Sequence, residues 1–516
     1  MSAPAPAPAP PPAPDSGVRR LSTAAWGRVL RSTAAGEGRP GARFAGLFGT
    51  GGADGSVGLL AVLFPHTGAE PLVLETVLPP GRLSYPSLSP WLPAAFWYER
   101  ALHDLFGVVP EGHPRLDPLL LPLQEPGRTP LPGTARAPGP LVPDEAALPR
   151  AVIGPGVFTI PHGPVRSGVV ESVEYLVETP GEDIPRVQIR VFHKHRGVSK
   201  RFEGRTVEDG VAAAERVEGI ASVAHALAFC HAVERCAGLT VPWAARLVRV
   251  LYAELERVAN HLDVMVKLTD AAGLAVATAR FALHKERVLR LTGRLCGSRF
   301  GRGAVVPGGV SGLPCLSPAA LDGALAALRD AVRADWRTAL HTPSFLDRLR
   351  GTGPLPPAVA RAHGALGPLG RASGAGPDVR YERPYDAYPS LGLGAPPDFA
   401  EGDVMARTLV RGAELTRSFE LLHQTSGELR ALDGDAALRI PVPDAPSGFA
   451  VGSAEAPQGE TLYLLRLREG RISRCVPRSA SFHNLVLFHE VFAGDVLTDF
   501  PFIEASFGLS IAGVAL

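Results

Sequence analysis

The sequence predicts an α+β N-terminal domain followed by a mainly α-helical domain with small antiparallel β-hairpins. Two patterns and the length carry this prediction. Strand-length apolar runs crowd the first part of the chain, whereas five long stretches between Val211 and Leu432 repeat apolar residues at helical spacing. At 516 residues the chain is also too long for one ordinary core.

In chain order, "MSAPAPAPAPPPAPD" opens residues 1–17, an alternating Ala/Pro tail that favours a solvated polyproline-like conformation. It has no basic region followed by an apolar core, so it is not read as a secretory signal. Residues 18–123 form the first predicted domain. It has a helix in "WGRVLRSTAAG", strands in "RFAGLFGT", "GLLAVLFP" and "PLVLETVLP", and a helix ended by Gly107 in "FWYERALHDLFG". Residues 124–150 are dense in proline and read as a linker. The second domain, 151–516, opens with the paired strands "SGVVESVEYLVET" and "PRVQIRVFHKH". Helices are expected over Val211–Ala237, Pro242–Lys267, Ala271–Cys296, Ser317–Thr342 and Gly402–Leu432, which makes the core a helical bundle. "GETLYLLRLREGRISRCVP" reads as a hairpin with "REG" at its turn.

Composition excludes several functions. A formal charge of +1 without a dense Lys/Arg run gives no electrostatic case for nucleic acid. The five cysteines are scattered with no CxxC, so neither a zinc ribbon nor a self-held iron–sulfur cluster is expected. No apolar run is long enough to span a membrane.

Three polar stretches invite chemistry. "FHKHRGVSKRFEGR" (Phe192–Arg205) places His193 and His195 two apart after a strand, a spacing metal sites use, but no carboxylate or Cys stands beside them. A basic loop facing an anion or a partner is the preferred reading. In "AELERVANHLD" (Ala253–Asp263), Glu254 and Arg257 stand at i, i+3, which suits an intrahelical ion pair in a polar core layer; Glu-x-x-His is absent, so a di-iron bundle is not supported. "GSRFGRGAVVPGGVSG" (Gly297–Gly312) follows a helix, the wrong order for a nucleotide loop, and lacks GK[ST]; its glycines are expected to admit a close backbone approach.

These blocks resemble two families fused in one chain. "FWYERALHDLFGVVPEGHPRL" looks like the 30-kDa subunit of respiratory complex I. "HRGVSK", "ERVEGIASVAHALAFCHAVE", "ELERVANHL", "DAAG", "VPGGV", "DVRYERPYDAY", "GDVMARTLVRGAEL", "EAPQGE" and "DFPFIEASFGLSIAG" look like its 49-kDa subunit and the large subunit of energy-converting [NiFe] hydrogenases. The fused layout is most like hydrogenase-4 component G and the formate hydrogenlyase large subunit. The resemblance implies a [NiFe]-hydrogenase-large-subunit-like helical domain.

It also implies a metal site that this chain does not keep. Glu218 and Ala221 stand where the family has its first pair of nickel–iron thiolates. The second pair belongs to an Asp-Pro-Cys-x-x-Cys block, matched to Asp499–Ser506, which has no cysteine. Four soft ligands are needed, so no NiFe centre is expected. Ser199 replaces the glutamate that passes protons in the family. At the quinone site of the 49-kDa subunit, Gly219 stands for its Tyr and Arg166, just after His162, for its His, while Asp270 matches its Asp. A quinone would therefore meet an altered site.

The candidate cavity residues are Glu218, His225 and Asp270. Arg166, His195, Arg196 and Arg299 are the expected cavity- or cluster-facing partners. A buried acid among Arg and His suits either a proton-conducting element or a salt-bridged plug. The expected partners are a small subunit holding a [4Fe–4S] cluster, braced by Phe96–Leu116, and antiporter-like membrane subunits. The resemblance places the chain in the cytoplasm, peripheral on the inner face of the membrane, with no cofactor of its own.

Overall fold

The computed structural model describes residues 17–36, 41–65, 68–124, 142–143, 154–166, 171–396, 399–432 and 436–516. The Ala/Pro tail and nearly all of the proline-rich linker lie outside them. The architecture is mixed α/β with several small sheets.

In the N-terminal part, strands β1 (Val18–Arg20), β2 (Arg43–Gly51), β3 (Val57–Phe64) and β4 (Leu72–Leu78) form a sheet in the order β1-β4-β3-β2, parallel only between β1 and β4. Helices α1 (Thr23–Ala35) and α2 (Phe96–Phe106) accompany it, with a short parallel pair β5 (Ser84–Pro86) and β6 (Val109–Glu111). β3 is buried along its whole length. A strand reads as a continuous apolar run only when both its faces are covered, and both are. Trp26, Leu30 and Leu102 from the helices join one face. Val451, Leu462 and Leu464, from a C-terminal sheet, join the other. Two sheets thus pack face to face across the junction of the two sequence halves.

Glu460 seals that junction. It accepts from Arg43 (3.0 and 3.1 Å), Arg383 and Arg478. Burial alone would raise its carboxyl, but the three guanidiniums hold it well below the usual range. Gly107, left-handed at φ 66°, ends α2 as the sequence predicts.

Past the two-residue pair β7 (Leu123–Gln124) and β8 (Val142–Pro143), β9 (Phe158–His162), β10 (Glu174–Thr179) and β11 (Arg186–Arg190) form a three-stranded sheet, one strand more than the predicted pair. Helices α3 (Val198–Phe202) and α4 (Val207–Ala214) lead to α5 (Ser222–Ala237), α6 (Trp243–Ala271), α7 (Ala275–Cys296), the tiny hairpin β12 (Val305–Val306) and β13 (Gly309–Val310), and α8 (Pro318–Leu340). Four short helices, α9 (Pro343–Leu349), α10 (Pro357–His363), α11 (Gly367–Ala372) and α12 (Val379–Glu382), precede α13 (Val404–Arg430). β14 (Gly448–Ala456), β15 (Gly459–Arg468) and β16 (Arg471–Arg478) make the C-terminal sheet, followed by α14 (Ala480–Leu485), α15 (Phe500–Phe507) and α16 (Ile511–Ala515).

Four long helices match the predicted ones to within a few residues. The fifth, Val211–Ala237, is two helices. The chain closes α4 with tight turns, Arg216 N–H to Ala213 O and Val217 N–H to Ala214 O, and restarts only at Ser222. The predicted C-terminal hairpin is present, with β14 as an extra strand. The glycines after α7 do admit a backbone: a Cβ on Gly308 or Gly309 would stand 2.0 Å from Ile440 O or Leu438 O. No helix among the described residues is long and apolar enough to cross a membrane.

Candidate functional site

The break between α4 and α5 turns Glu218 inward. It is 1% exposed, and both its carboxylate oxygens have hydrogen-bonding partners. Oε1 lies 3.1 Å from His225 Nε2, and Oε2 accepts from Ser481 Oγ at 3.2 Å. His225, fully buried on the first turn of α5, places Nδ1 2.8 Å from the Tyr463 hydroxyl on β15. An ionised carboxylate only accepts, which suits an Nε2–H donor here, with Nδ1 facing the Tyr463 O–H. Burial, with the nearby Cys475 and Glu218, raises the Tyr463 phenol well above its ordinary range, which keeps it a donor.

Against the Glu218 carboxylate lies Gly513. A Cβ there would stand 1.9 Å from Oε2. The stretch that closes the site is therefore Ser510–Gly513, not Asp499–Ser506 as the sequence reading had it. Ser506 is turned elsewhere: its Oγ accepts from Arg407 Nε (2.9 Å) and donates to Ile503 O (2.7 Å). Ser510-x-x-Gly513 repeats the spacing of Glu218-x-x-Ala221, and this shared spacing was the legible signal for it. Glu171 holds the turn, accepting from Ser510 Oγ and from the N–H groups of Ile511 and Ala512. The Ala221 methyl packs with Ala224 and Ala456.

Carboxylate, methyl, hydroxyl and hydrogen are thus what residues 218, 221, 510 and 513 offer. A nickel–iron pair requires thiolates. Moreover, the Glu218 carboxylate already occupies the space into which any side chain on residue 513 would project. These residues do not fit such a centre.

α5 has no capping side chain of its own, because its N-cap is Ala221. Glu256, from mid-α6, takes that role, accepting from Val223 N–H (2.7 Å) and Ala224 N–H (3.0 Å). Burial raises its carboxyl to about 8; the two N–H groups oppose the rise and the neighbouring Glu218 charge adds to it. Glu256 lines a cavity of about 300 Å³ with Gly219, Asn260, Asp263, Lys285 and Arg299. Sequence reasoning missed Glu256, Tyr463, Ser481 and Gly513, since each reaches the site from a segment distant in sequence.

The predicted partners disperse. Asp270 is exposed near the C-terminal end of α6, about 20 Å along the helix from Glu256. Arg166 makes a bidentate pair with Glu504 (2.6 and 2.9 Å) over the Tyr175 ring. His195 lies 2.6 Å, through Nδ1, from Ala515 O, on the wall of a separate cavity of about 200 Å³. Arg299 pairs with Glu286 at the rim of the larger cavity. Arg196 alone reaches the site's backbone, donating to Arg216 O, Val217 O and Ala512 O. The expected partners of Glu218 are thereby corrected to His225 and Ser481. His193 and His195 do not share a strand face either: residues Phe192–Lys194 form a 3-10 turn, and His193 looks towards Glu174 at 3.9 Å.

The polar layer of α6 holds as expected. Arg257 Nε pairs with Glu254 (3.2 Å), and Glu254 also accepts from Arg380, Tyr388 and Ser418. Asp378, Arg371, Glu414, Glu455 and His261 extend the network. The Phe96–Leu116 segment meets the chain's own C-terminal part, with the Tyr98 hydroxyl 2.8 Å from His483 Nδ1.

Residues 30–136 match the family model of the respiratory-chain NADH dehydrogenase 30 Kd subunit, and residues 272–444 that of the 49 Kd subunit. The carbon monoxide-induced hydrogenase of Rhodospirillum rubrum is 31% identical over 361 residues, covering 68% of this chain and 96% of that protein. Hydrogenase-4 component G of Escherichia coli K12 is 28% identical over 456 residues, covering 85% of this chain and 77% of that one. A chain in the structure of the membrane-bound sulfane sulfur reductase, an archaeal respiratory membrane complex, superposes with a TM-score of 0.66 at 23% identity, over 71% of this chain and 100% of that one, a likeness of fold alone. The chain belongs to the family of 49 Kd NADH dehydrogenase and membrane-bound hydrogenase large subunits, with a 30 Kd-type domain fused before it.

Proposed function

We propose that the chain is a subunit of a membrane-associated, energy-converting oxidoreductase complex related to hydrogenase-4 and complex I, serving electron transfer or redox-to-ion coupling without a NiFe centre. The observation that carries this reading is the buried Glu218–His225–Tyr463 chain, with the Glu218 carboxylate seated against Gly513 and no thiol at residue 218, 221, 510 or 513. A hydrogen-bonded acid, imidazole and phenol hold and pass protons, and the arrangement has no donor set for hydrogen turnover. A [4Fe–4S] cluster would belong to a neighbouring small subunit, ion movement to antiporter-like membrane subunits, and the chain itself would sit peripherally on the cytoplasmic face. A quinone would enter beside Gly219 without the usual Tyr and His clamp.

One observation favours a second reading. The seating of Glu218 against Gly513, with both oxygens bonded, suits a plug in a structural subunit that only transmits conformational change. Glu218→Gln and His225→Ala in the assembled complex separate the two. Proton-coupled action predicts a shifted pH profile and slowed ion transport. Unchanged transport with an unchanged pH profile would establish the structural role, and stoichiometric nickel in the purified chain would overturn both.

A further inference from the structure

Four arginines converge on one concave surface beside the Glu218 segment. Arg196, Arg201, Arg205 and Arg216 line a pocket of about 370 Å³ in which Asp209 is the one carboxylate among the described lining residues. Main-chain carbonyls, rather than acids, turn these guanidiniums. Arg205 Nε donates to Arg201 O (2.5 Å), Arg201 Nε to Arg196 O (3.2 Å) and Arg216 Nη1 to Ala212 O (2.6 Å). Among the described residues only Arg216 has a carboxylate within ion-pair distance, Glu215 at 3.5 Å. The terminal nitrogens of Arg201 and Arg205 thus remain for a ligand. The Nε of Arg196 is buried without a hydrogen-bond partner.

Gathering like charges in a hollow is unfavourable unless an anion joins them. At Arg196 burial draws the guanidinium below its ordinary pKa; Glu171 and Glu218 oppose this and the neighbouring Arg201 adds to it. The planar fork of arginine matches tetrahedral oxoanions, and a hollow of this size suits a small phosphate-bearing group better than a flat protein surface.

We propose that this four-arginine pocket binds a phosphate-class oxoanion, free or on a lipid headgroup, and is coupled to the Glu218 site through Arg196. The coupling is geometric. One guanidinium spans Arg216 O (3.1 Å), Val217 O (2.5 Å) and Ala512 O (2.8 Å), so it ties the backbone beside Glu218 to the backbone beside Gly513. An anion that draws on Arg196 bears on both walls of the site.

The test uses the full chain, with inorganic phosphate in calorimetry and vesicles of phosphatidylglycerol or phosphatidylcholine in flotation. Arg201→Gln with Arg205→Gln removes two exposed guanidiniums, and the expected loss of affinity is about tenfold or more. Phosphate binding lost in this variant supports a free anion. Selective capture by phosphatidylglycerol vesicles, lost in the same variant, supports a headgroup. No binding of either probe, binding unchanged in the variant, or capture by polyglutamate alone overturns the proposal, the last in favour of an acidic protein partner. Phosphate is expected to slow amide hydrogen exchange in residues 216–219 and 512–515. In Arg196→Lys that slowing should disappear while phosphate still binds, and its persistence would refute the coupling.

Discussion

Two buried polar centres flank α6, and they are built on opposite plans. Around Glu254, Arg257, Asp378, Arg380, Arg371, Glu414 and Glu455, each acid meets at least one guanidinium. Burial pushes the Glu254 and Asp378 carboxyls up, but the arginines outweigh it and both end below their ordinary values. Charge is held at Glu254, Asp378 and Glu414, whereas burial and then the neighbouring Asp378 raise Glu455 to about 7. At the Glu218 site no guanidinium or ammonium group among the described residues touches the acid. The His225 imidazole and the Ser481 hydroxyl bond it, the Tyr463 phenol backs the imidazole, and the neighbouring Glu256 is pushed up to about 8. An acid shared by two guanidiniums, as Glu254 is by Arg257 and Arg380, is held ionised; one without them is not so held. On the proposed reading the ionic layer is scaffold, and the Glu218 site is where a proton would move.

The largest effect should come from breaking the ionic layer. Glu254→Ala leaves Arg257 and Arg380 facing each other in the core without their shared acid. Loss of one partner from a buried pair costs about 3–5 kcal/mol, measurable as a lower urea midpoint. A loss below about 1 kcal/mol would mean that the layer is hydrated rather than locked. A smaller effect tests the geometry of the neutral site. Gly513→Ala places a methyl 1.9 Å from Glu218 Oε2, so the carboxylate must shift. Overpacking of this kind costs about 1–3 kcal/mol. Glu218→Ala in the same chain should return most of that loss, a coupling that a double-mutant cycle reads directly. Additive effects would separate residues 218 and 513 and remove the juxtaposition on which the comparison rests.

The two centres were unequally legible in the sequence. The ionic layer was half visible, because Glu254 and Arg257 sit one helical turn apart on α6 and spacing alone pairs them. Its other members, Arg371, Arg380 and Glu455, come from short helices and a strand whose approach no local pattern fixes. At the Glu218 site, residue 218 was found because it departs from the thiolate pattern of the resemblance, and His225 because it lies in the same small, apolar helix start. Their partners lay beyond reach for a physical reason: Tyr463 and Ser481 arrive through the β14–β16 sheet, and helix periodicity ran straight across Glu215–Ala221, where tertiary contacts break the helix. The cap on α5 was hidden likewise, since Ala221 gives no capping signal and the acid that performs it stands on another helix. The apolar run of β3 marked a strand, but not that both its faces are covered, the second by the far end of the chain.

Glu256 gives the finest test of the comparison, through pH. Its folded value is about 8, against an ordinary carboxyl near 4.5, with burial as the leading cause. Between these values the folded chain keeps a proton that the unfolded chain releases. The favourable contribution is therefore full below about 4.5 and is lost as pH climbs towards about 8. Val223 N–H and Ala224 N–H bond different oxygens of Glu256, so Glu256→Gln keeps an acceptor for one of them, gives up the other bond at every pH, and removes the titration. Urea unfolding across that window should show wild type losing stability relative to the variant as pH rises, with the difference level outside it. The ionic layer, Glu455 included, is present in both proteins and drops out of the difference. A difference independent of pH would mean that Glu256 is ionised throughout, stabilised by the α5 N-terminus. The neutral centre would then hold two fixed negative charges, Glu218 and Glu256, and the division between scaffold and proton site would have to be drawn elsewhere.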